Sequence, residues 1–352
     1  MKNQCKILAI GDPHIKKNNL NQIELYINNI KKIVKEHSPD FVVILGDTLD
    51  THEVAHVQPF KYLCKLIEKI SSLTKLFVIM GNHDYIDHTQ FLTDNHFFIP
   101  FKKWENVVIV DKPHYYTVNG KEFVFCPYVE PGRFEEALNT LEKDNIWEMV
   151  DCIFAHQEFK GCKMGAITST NGDKWDEDYP PVISGHIHDE QVVKNVFYVG
   201  SSIQHSFAEN ANKKVWLVTF ADDKSPKNGY FLLKKIDLGM KRKRIVYVDV
   251  SDVEKFNFKK HENEEVKLTI KGHKDELNIF RKSDVYKKMQ KAGIKFSYNS
   301  VKNENETPER IENINKKTSY VDILESLVEE KSESVQQIYK KLTSSKGIKF
   351  ED

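Results

Sequence analysis

No stretch of this chain approaches the ~20 consecutive apolar residues that a membrane-spanning helix needs. Its opening residues, Met1 to Lys6, run into an apolar segment too short for the core of a secretion signal. Both absences lead to the expectation of an intracellular, cytoplasmic protein. Cysteine is sparse: Cys5, Cys64, Cys126, Cys152 and Cys162 are odd in number, far apart and without a CxxC pair. A disulfide framework and a thiolate zinc site are therefore not expected, and the thiols read as buried and reduced. Net charge is missing too, since 52 Lys and Arg balance 52 Asp and Glu. The balance is uneven, because residues 224–302 hold 21 basic against 10 acidic side chains. That stretch suits a polyanionic partner, or is a plain solvated lysine-rich surface.

The 352 residues suffice for one large domain and a smaller one. Short β-branched and aromatic runs at 6–10, 41–45, 76–80 and 152–155 read as buried strands. Between them Ile23, Ile27, Ile30 and Val34 recur at helical spacing, as do Phe60, Leu63, Ile67 and Ile70, then Phe134, Ala137, Leu138 and Leu141. Strand alternating with helix predicts α/β layers. After Gly185 the pattern predicts successive antiparallel strands around Val192-Val193, Val196–Val199 and Val215–Val218. Residues 222–229 read as a turn or linker. Strand-like Tyr230–Ile236 and Ile245–Val250 flank the basic run Lys241-Arg242-Lys243-Arg244. A small unit follows, with strand Val266–Ile270, helix Ser283–Lys291 and strand Ile294–Tyr298. The expected division is thus 1–222, 223–302, a polar linker at 303–317, and an amphipathic helical tail at 318–352 that docks on a partner or on its own domain.

Five short polar blocks, each directly behind an apolar run, carry the chemistry: Asp12-Pro13-His14, Gly46-Asp47-Thr48-Leu49-Asp50, Gly81-Asn82-His83-Asp84, His156, and Gly185-His186-Ile187-His188. In open α/β sheets ligands gather at the carboxyl ends of strands, so these blocks can converge on one crevice. They offer carboxylate, amide and imidazole groups in the number that two divalent cations sharing one bridge need. Ions such as Mn²⁺ accept that mixture in octahedral arrangements. Asp47 is the natural bridge, since its block is central and its carboxylate has two oxygens. Glycine ahead of Asp47, Asn82 and His186 is expected to permit turns that a Cβ would resist. Two metals about 3.5–4 Å apart can deprotonate a bridging water, hold a phosphoryl oxygen and stabilise both in-line oxygens of a displacement. His37, His52, His56, His88, His96, His114, His261 and His273 lie outside the blocks and are given no role.

The series DxH, GDxxD, GNHD, H, GHxH resembles that of the calcineurin-like metallophosphoesterase superfamily, across residues 6–190. The resemblance implies a four-layer metallophosphoesterase β-sandwich flanked by helices. It implies one metal held by Asp12, His14, Asp47 and His188, and another held by Asp47, Asn82, His156 and His186. His83 is implied to approach the scissile phosphate and to protonate the leaving oxygen or stabilise its charge. Asp50 is implied to orient His83 as a carboxylate–imidazole pair that raises the His pKa, with Asp84 as support behind the ligands.

Protein Ser/Thr phosphatases follow GDxxD with Arg-Gly and use GNHE, whereas this chain has Thr51-His52 and Asp84. The segments Gly185 to Gln191, Tyr198 to Ser202 and Ser206-Phe207-Ala208-Glu209 resemble the GHxHxxQ and YxGSxxxxSFxE region of SbcD-type DNA repair nucleases, especially phage and large-DNA-virus relatives. The chain departs from that pattern at Pro13, at Asp50 (a His in archaeal and eukaryotic relatives) and at Gln157. The resemblance implies a Mn²⁺-dependent DNA exo- or endonuclease, the catalytic subunit of an SbcCD-like complex in end processing, recombination or replication. It implies a small α/β DNA-capping domain at 223–302 whose Lys241, Arg242, Lys243 and Arg244 contact phosphates. It further implies a tail that binds an SbcC-type ABC ATPase, and a homodimer, with Ile23–Val34 and Phe60–Ile70 reading equally as its surface or as core. The alternative is a metallophosphatase or phosphodiesterase acting on a protein or nucleotide. A non-catalytic scaffold is a third class, and the complete ligand set counts against it.

Overall fold

The computed structural model describes residues 4–52, 54–87, 89–142, 145–221 and 230–301, with five further positions in the tail. The turn expected at 222–229 and the linker at 303–317 lie outside the described residues, as does the helical tail apart from those positions. Three of the apolar runs become parallel neighbours: β1 (Gln4–Ile10), β2 (Phe41–Ile44) and β3 (Lys75–Ile79), joined on one edge by β4 (Val107–Val110). Helices α1 (Leu20–His37) and α2 (Val57–Ser71) make the crossovers.

A second sheet holds β5 (His114–Val118), β6 (Lys121–Cys126), β7 (Cys152–Ala155), β10 (Val182–Ser184), β11 (Gln191–Val193) and β12 (Val196–Tyr198). Its spatial order is β11-β12-β10-β7-β6-β5, with the short α3 (Phe134–Leu138) on its outer face. A separate hairpin pairs β8 (Lys163–Met164) with β9 (Ile167–Thr168).

The runs are apolar throughout because both faces of each strand are buried. Along β1 and β2, Leu8, Ile10, Val42 and Ile44 face α1 and α2, while Ile7, Ala9, Phe41 and Val43 face the second sheet. Between the sheets Phe77 and Phe125 stack at 4.0 Å, and Phe125 and Phe154 at 5.3 Å. Truncating one such ring to Ala costs about 3–5 kcal/mol. Helices, sheet, sheet and α3 therefore form the four expected layers. All five cysteines are free thiols, four of them buried. Burial pushes the Cys5 thiol up to about 12 and raises Cys64, Cys126, Cys152 and Cys162.

Several expectations need correcting. The strand β13 (Val215–Ala221) does not continue the second sheet; it crosses to the first and pairs antiparallel with β1, Ile7 opposite Val218. Next, β14 (Leu232–Ile236) pairs with β13, so the first sheet extends past the boundary drawn at residue 222. The apolar residues Ile23, Ile27, Ile30, Val34, Leu63, Ile67 and Ile70 of the two helices, open between core and dimer face in the sequence, are buried in the layer under the first sheet.

The small unit consists of β15 (Arg242–Asp249), β16 (Glu264–His273) and β17 (Lys295–Val301), all parallel, with α4 (Lys274–Lys282) and α5 (Asp284–Lys291). Its own core joins Val266, Leu268 and Ile270 to Leu277, Phe280 and Met289. The basic run opens β15, with Lys241 just ahead of the strand and Arg242, Lys243 and Arg244 in it, and α4 was not anticipated. No helix among the described residues is long and apolar enough to cross a membrane.

Candidate metal centre

Each polar block begins where a parallel strand ends: Asp12 after β1, Asp47 after β2, Asn82 after β3, His156 after β7 and His186 after β10. The two sheets therefore aim their carboxyl ends at one place, as an open α/β arrangement does. The chain is strained there. Asp12, His14, Asp47 and His186 all have positive φ, at 41°, 40°, 46° and 77°. Such conformations cost non-glycine residues about 1–3 kcal/mol each and persist where surrounding contacts over-determine them.

The expected ligands converge on two points. At the first, His14 Nε2 lies 3.1 Å from His188 Nε2 and 3.4 Å from Asp47 Oδ2. Asp12 belongs to the same group, its ligand atom within 4.8 Å of those of His14 and His188. At the second, Asn82 Oδ1 is 3.0 Å from both His156 Nε2 and His186 Nδ1, and His156 Nε2 is 3.4 Å from Asp47 Oδ1. Asp47 thus turns one carboxylate oxygen to each point, which is the geometry of a bridge. Ligand separations of about 3 Å are the edges of an octahedron with bonds of about 2.1 Å. Asp12 Oδ2 is buried without a hydrogen-bond partner. A buried orphan oxygen is costly unless something else takes its lone pairs, and a cation among these donors does so. The residues present fit two divalent cations.

The electrostatics tell the same story. Burial works against the charge of Asp47, yet His156 and His14 hold its carboxyl well below the ordinary range. Burial likewise opposes His156, but Asp47 and Asp12 hold its pKa up at about 9. His186 goes the other way, to about 3, through burial and then the charge of His156. Without cations, some of these imidazoles carry protons to compensate the carboxylates.

Two of the three block glycines matter for a reason other than the expected one. Of Gly46, Gly81 and Gly185, only Gly46 has positive φ, at 97°. A Cβ on Gly46 would overlap the His156 ring, one on Gly81 the Asp47 carboxylate, and one on Gly185 the Leu45 carbonyl. At Gly81 and Gly185 close approach, not turning, excludes a side chain.

Support for the ligands is partly as expected. Asp84 accepts from the main-chain N–H groups of Thr48, Leu49 and Gly81 at 3.2, 3.0 and 3.1 Å, tying two ligand loops together. The expected Asp50–His83 carboxylate pair is not formed. His83 Nδ1 donates to the Asp50 main-chain carbonyl at 3.0 Å, while the Asp50 carboxylate lies 3.1 Å from His14 Nδ1 and 2.8 Å from Lys16 Nζ. His83 is accordingly lowered, by burial first, rather than raised.

Sequence reasoning missed several neighbours. His52, given no role, stacks on His83 with ring centroids 4.6 Å apart. Glu209 stands 3.5 Å from His188 Nδ1 and Lys213 lies 3.5 Å behind it, much as Lys16 backs Asp50. Carboxylates behind ligand imidazoles fix the tautomer and raise ligand basicity. His205 packs edge-on against His14 at 4.8 Å. The quoted SFxE block contained the signal for Glu209; His205 had none.

The basic run is less free than expected. Arg242 pairs with Asp237 at 3.3 Å and Arg244 with Glu264 at 2.7 Å, while Lys241 Nζ donates to the Glu262 carbonyl at 3.2 Å. Half-buried Lys243 donates through Nζ to the Gln204 carbonyl.

Residues 5–190 match the calcineurin-like phosphoesterase family, and the chain belongs to it. It is 38% identical over 330 residues to "Putative phosphoesterase 078R" of Invertebrate iridescent virus 3, covering 93% of each chain. With "Putative phosphoesterase 244L" of Invertebrate iridescent virus 6 it shares 41% identity over 283 residues, 80% of this chain and 99% of the relative. Among solved structures, Plasmodium GAP50, described as the anchor in the inner membrane complex, aligns with a TM-score of 0.40 at 15% identity, over 66% of this chain and 89% of that one. Family and site together define a metal-dependent phosphoesterase, a hydrolase.

Proposed function

We propose that this phosphoesterase is a Mn²⁺-dependent DNA nuclease, the catalytic subunit of an SbcCD-like complex in end processing, recombination or replication. The observation that carries the reading is a basic seam beside the metal points. Lys243, tied to the Gln204 loop, lies close enough to Lys295 and Lys16 to feel their charges, with the carboxylates of Glu265 and Glu209 beside them. Next to the seam, between the start of α1 and the small sheet, opens a cleft of about 770 Å³. A nucleic-acid backbone tracking such a seam would deliver its phosphates to the metal points. An ATPase subunit of SbcC type would take the C-terminal tail.

Two cations in the site would activate a water and draw charge from the phosphoryl oxygens. The chain's own part falls largely to His83. Because its Nδ1–H donates to a carbonyl, which only accepts, the neutral ring keeps Nε2 as its reactive nitrogen. Its lowered pKa leaves the ring mostly neutral at rest, and an arriving phosphodiester anion favours the protonated form that donates to a leaving oxygen.

End-labelled duplex, hairpin and circular single-stranded DNA, incubated with Mn²⁺ or Mg²⁺, test the reading against a His83→Ala control. Cleavage of DNA by wild type and its loss of about 10²–10⁴-fold in the variant are expected. Intact DNA alongside rapid hydrolysis of small phosphoesters or phosphoproteins would hand the assignment to the phosphatase alternative.

A further inference from the structure

We propose that His205 is a positioning residue for the metal point of Asp12, His14 and His188. The inference rests on the two-cation reading of the site and on no particular substrate. Asp12 and His14 both sit in the left-handed region, so something must hold their main chain there. Four contacts do so. The His14 N–H donates to the Asp47 carbonyl at 2.9 Å, and Asp12 Oδ1 accepts from the His186 N–H at 2.9 Å. The third is His205 Nε2, 2.9 Å from the Asp12 main-chain carbonyl. The fourth, the Asn19 side-chain amide donating to the His14 main-chain carbonyl at 2.9 Å, also comes from outside the five motif blocks, and it is His205 that meets the Asp12 carbonyl.

The chemistry of that contact fixes the ring. A carbonyl only accepts, so His205 Nε2 carries the hydrogen and Nδ1 is bare in the neutral form. Nδ1 is shielded from solvent and has no hydrogen-bond partner among the described residues. A lysine in this place would bring a donor and a charge together, opposing the cations. Imidazole in this tautomer brings the donor without the charge.

His205 is itself held from the far side. Its N–H donates to Glu209 Oε2 at 2.9 Å. The neighbouring Gln204 side chain bonds both polar groups of the Lys243 peptide, accepting from N at 2.6 Å and donating to O at 3.1 Å. One loop therefore grips Asp12 through His205 and faces His188 through Glu209, with its other end tied to β15.

The test compares His205→Gln with His205→Met in the full chain. The two side chains are nearly equal in size, and only Gln can donate to the Asp12 carbonyl. Manganese is titrated while free Mn²⁺ is followed by electron paramagnetic resonance. Wild type and His205→Gln are expected to bind two ions with similar affinities. His205→Met should keep one and bind the other roughly 10–100-fold more weakly. A Met variant that matches wild type, or a Gln variant as impaired as Met, overturns the proposal. Nitrogen NMR of histidine-labelled wild type tests the contact even if the Met variant does not fold. A hydrogen on Nε2 of His205 is expected, and one on Nδ1 alone would sink it. Wild type that takes up no manganese would instead overturn the two-cation reading, and this inference with it.

Discussion

Loading the site with cations should expel protons, and the amount can be worked out from the fold. In the cation-free protein burial opposes a charge on His156, but Asp47 and Asp12 outweigh it and set the pKa at about 9. A raised imidazole pKa stabilises the cation-free fold fully below the ordinary histidine value, and that contribution fades as pH climbs through about 9. Coordination requires the neutral ring, so cation and proton compete. Below about pH 9 the apparent affinity should rise about tenfold per pH unit from His156 alone. Between about pH 6.5 and 8 that amounts to roughly 30-fold, or ~2 kcal/mol. His14 is raised as well, by Asp50 and Asp47 against the pull of burial, and adds to the release. Asp84, pushed up to about 7 by burial and Asp47, gives up its share near neutrality. Isothermal titration of manganese in buffers of different ionisation enthalpy measures the protons directly. A binding heat independent of buffer, with one affinity at both pH values, would refute the reasoning.

Other perturbations test separate parts of the site. Gly46→Ala should lower the melting temperature by several degrees and abolish manganese uptake at the second point, because its Cβ meets the His156 ring at a φ of 97°; overpacking of this kind costs about 1–3 kcal/mol. Calorimetry and metal titration on one sample check both effects, and an unchanged melt would refute the clash. Glu209→Gln should weaken binding at the His188 side by about 10–100-fold while leaving the fold intact, as metal titration and circular dichroism would show. Lys295→Glu should weaken duplex DNA binding and reduce the salt slope by about 1, measured by fluorescence anisotropy across ionic strength. Equal slopes for variant and wild type would remove Lys295 from the DNA path.

Much of this architecture was legible from local pattern. The runs behind Asp12, Asp47, Asn82 and His156 are apolar on both faces, and only a strand buried between layers needs that. The ligand set was legible because carboxylate, amide and imidazole recur directly after those runs. What escaped was set by distance. Nothing in the sequence of β13 distinguishes pairing with β12 from pairing with β1, since its neighbours are chosen by the layer it closes. The Asp50 carboxylate turned from His83 to His14 because Lys16, on the same loop as His14, draws the same carboxylate oxygen. His205 lies within no motif, and its partner is a main-chain carbonyl distant in sequence. The basic run looked like free charge because its acidic partners, Asp237 and Glu264, lie outside it.

The free cysteines carry a practical consequence. Every one has its thiol held above the ordinary value, so the native protein presents almost no thiolate at neutral pH. At the four buried thiols an alkylating reagent then waits on opening of the layers, and its rate becomes a clock for unfolding. Cys5 and Cys152 face the seam between the two sheets, whereas Cys126 and Cys162 lie on the outer side of the second. Mapping which thiols react first would show which layer parts company first.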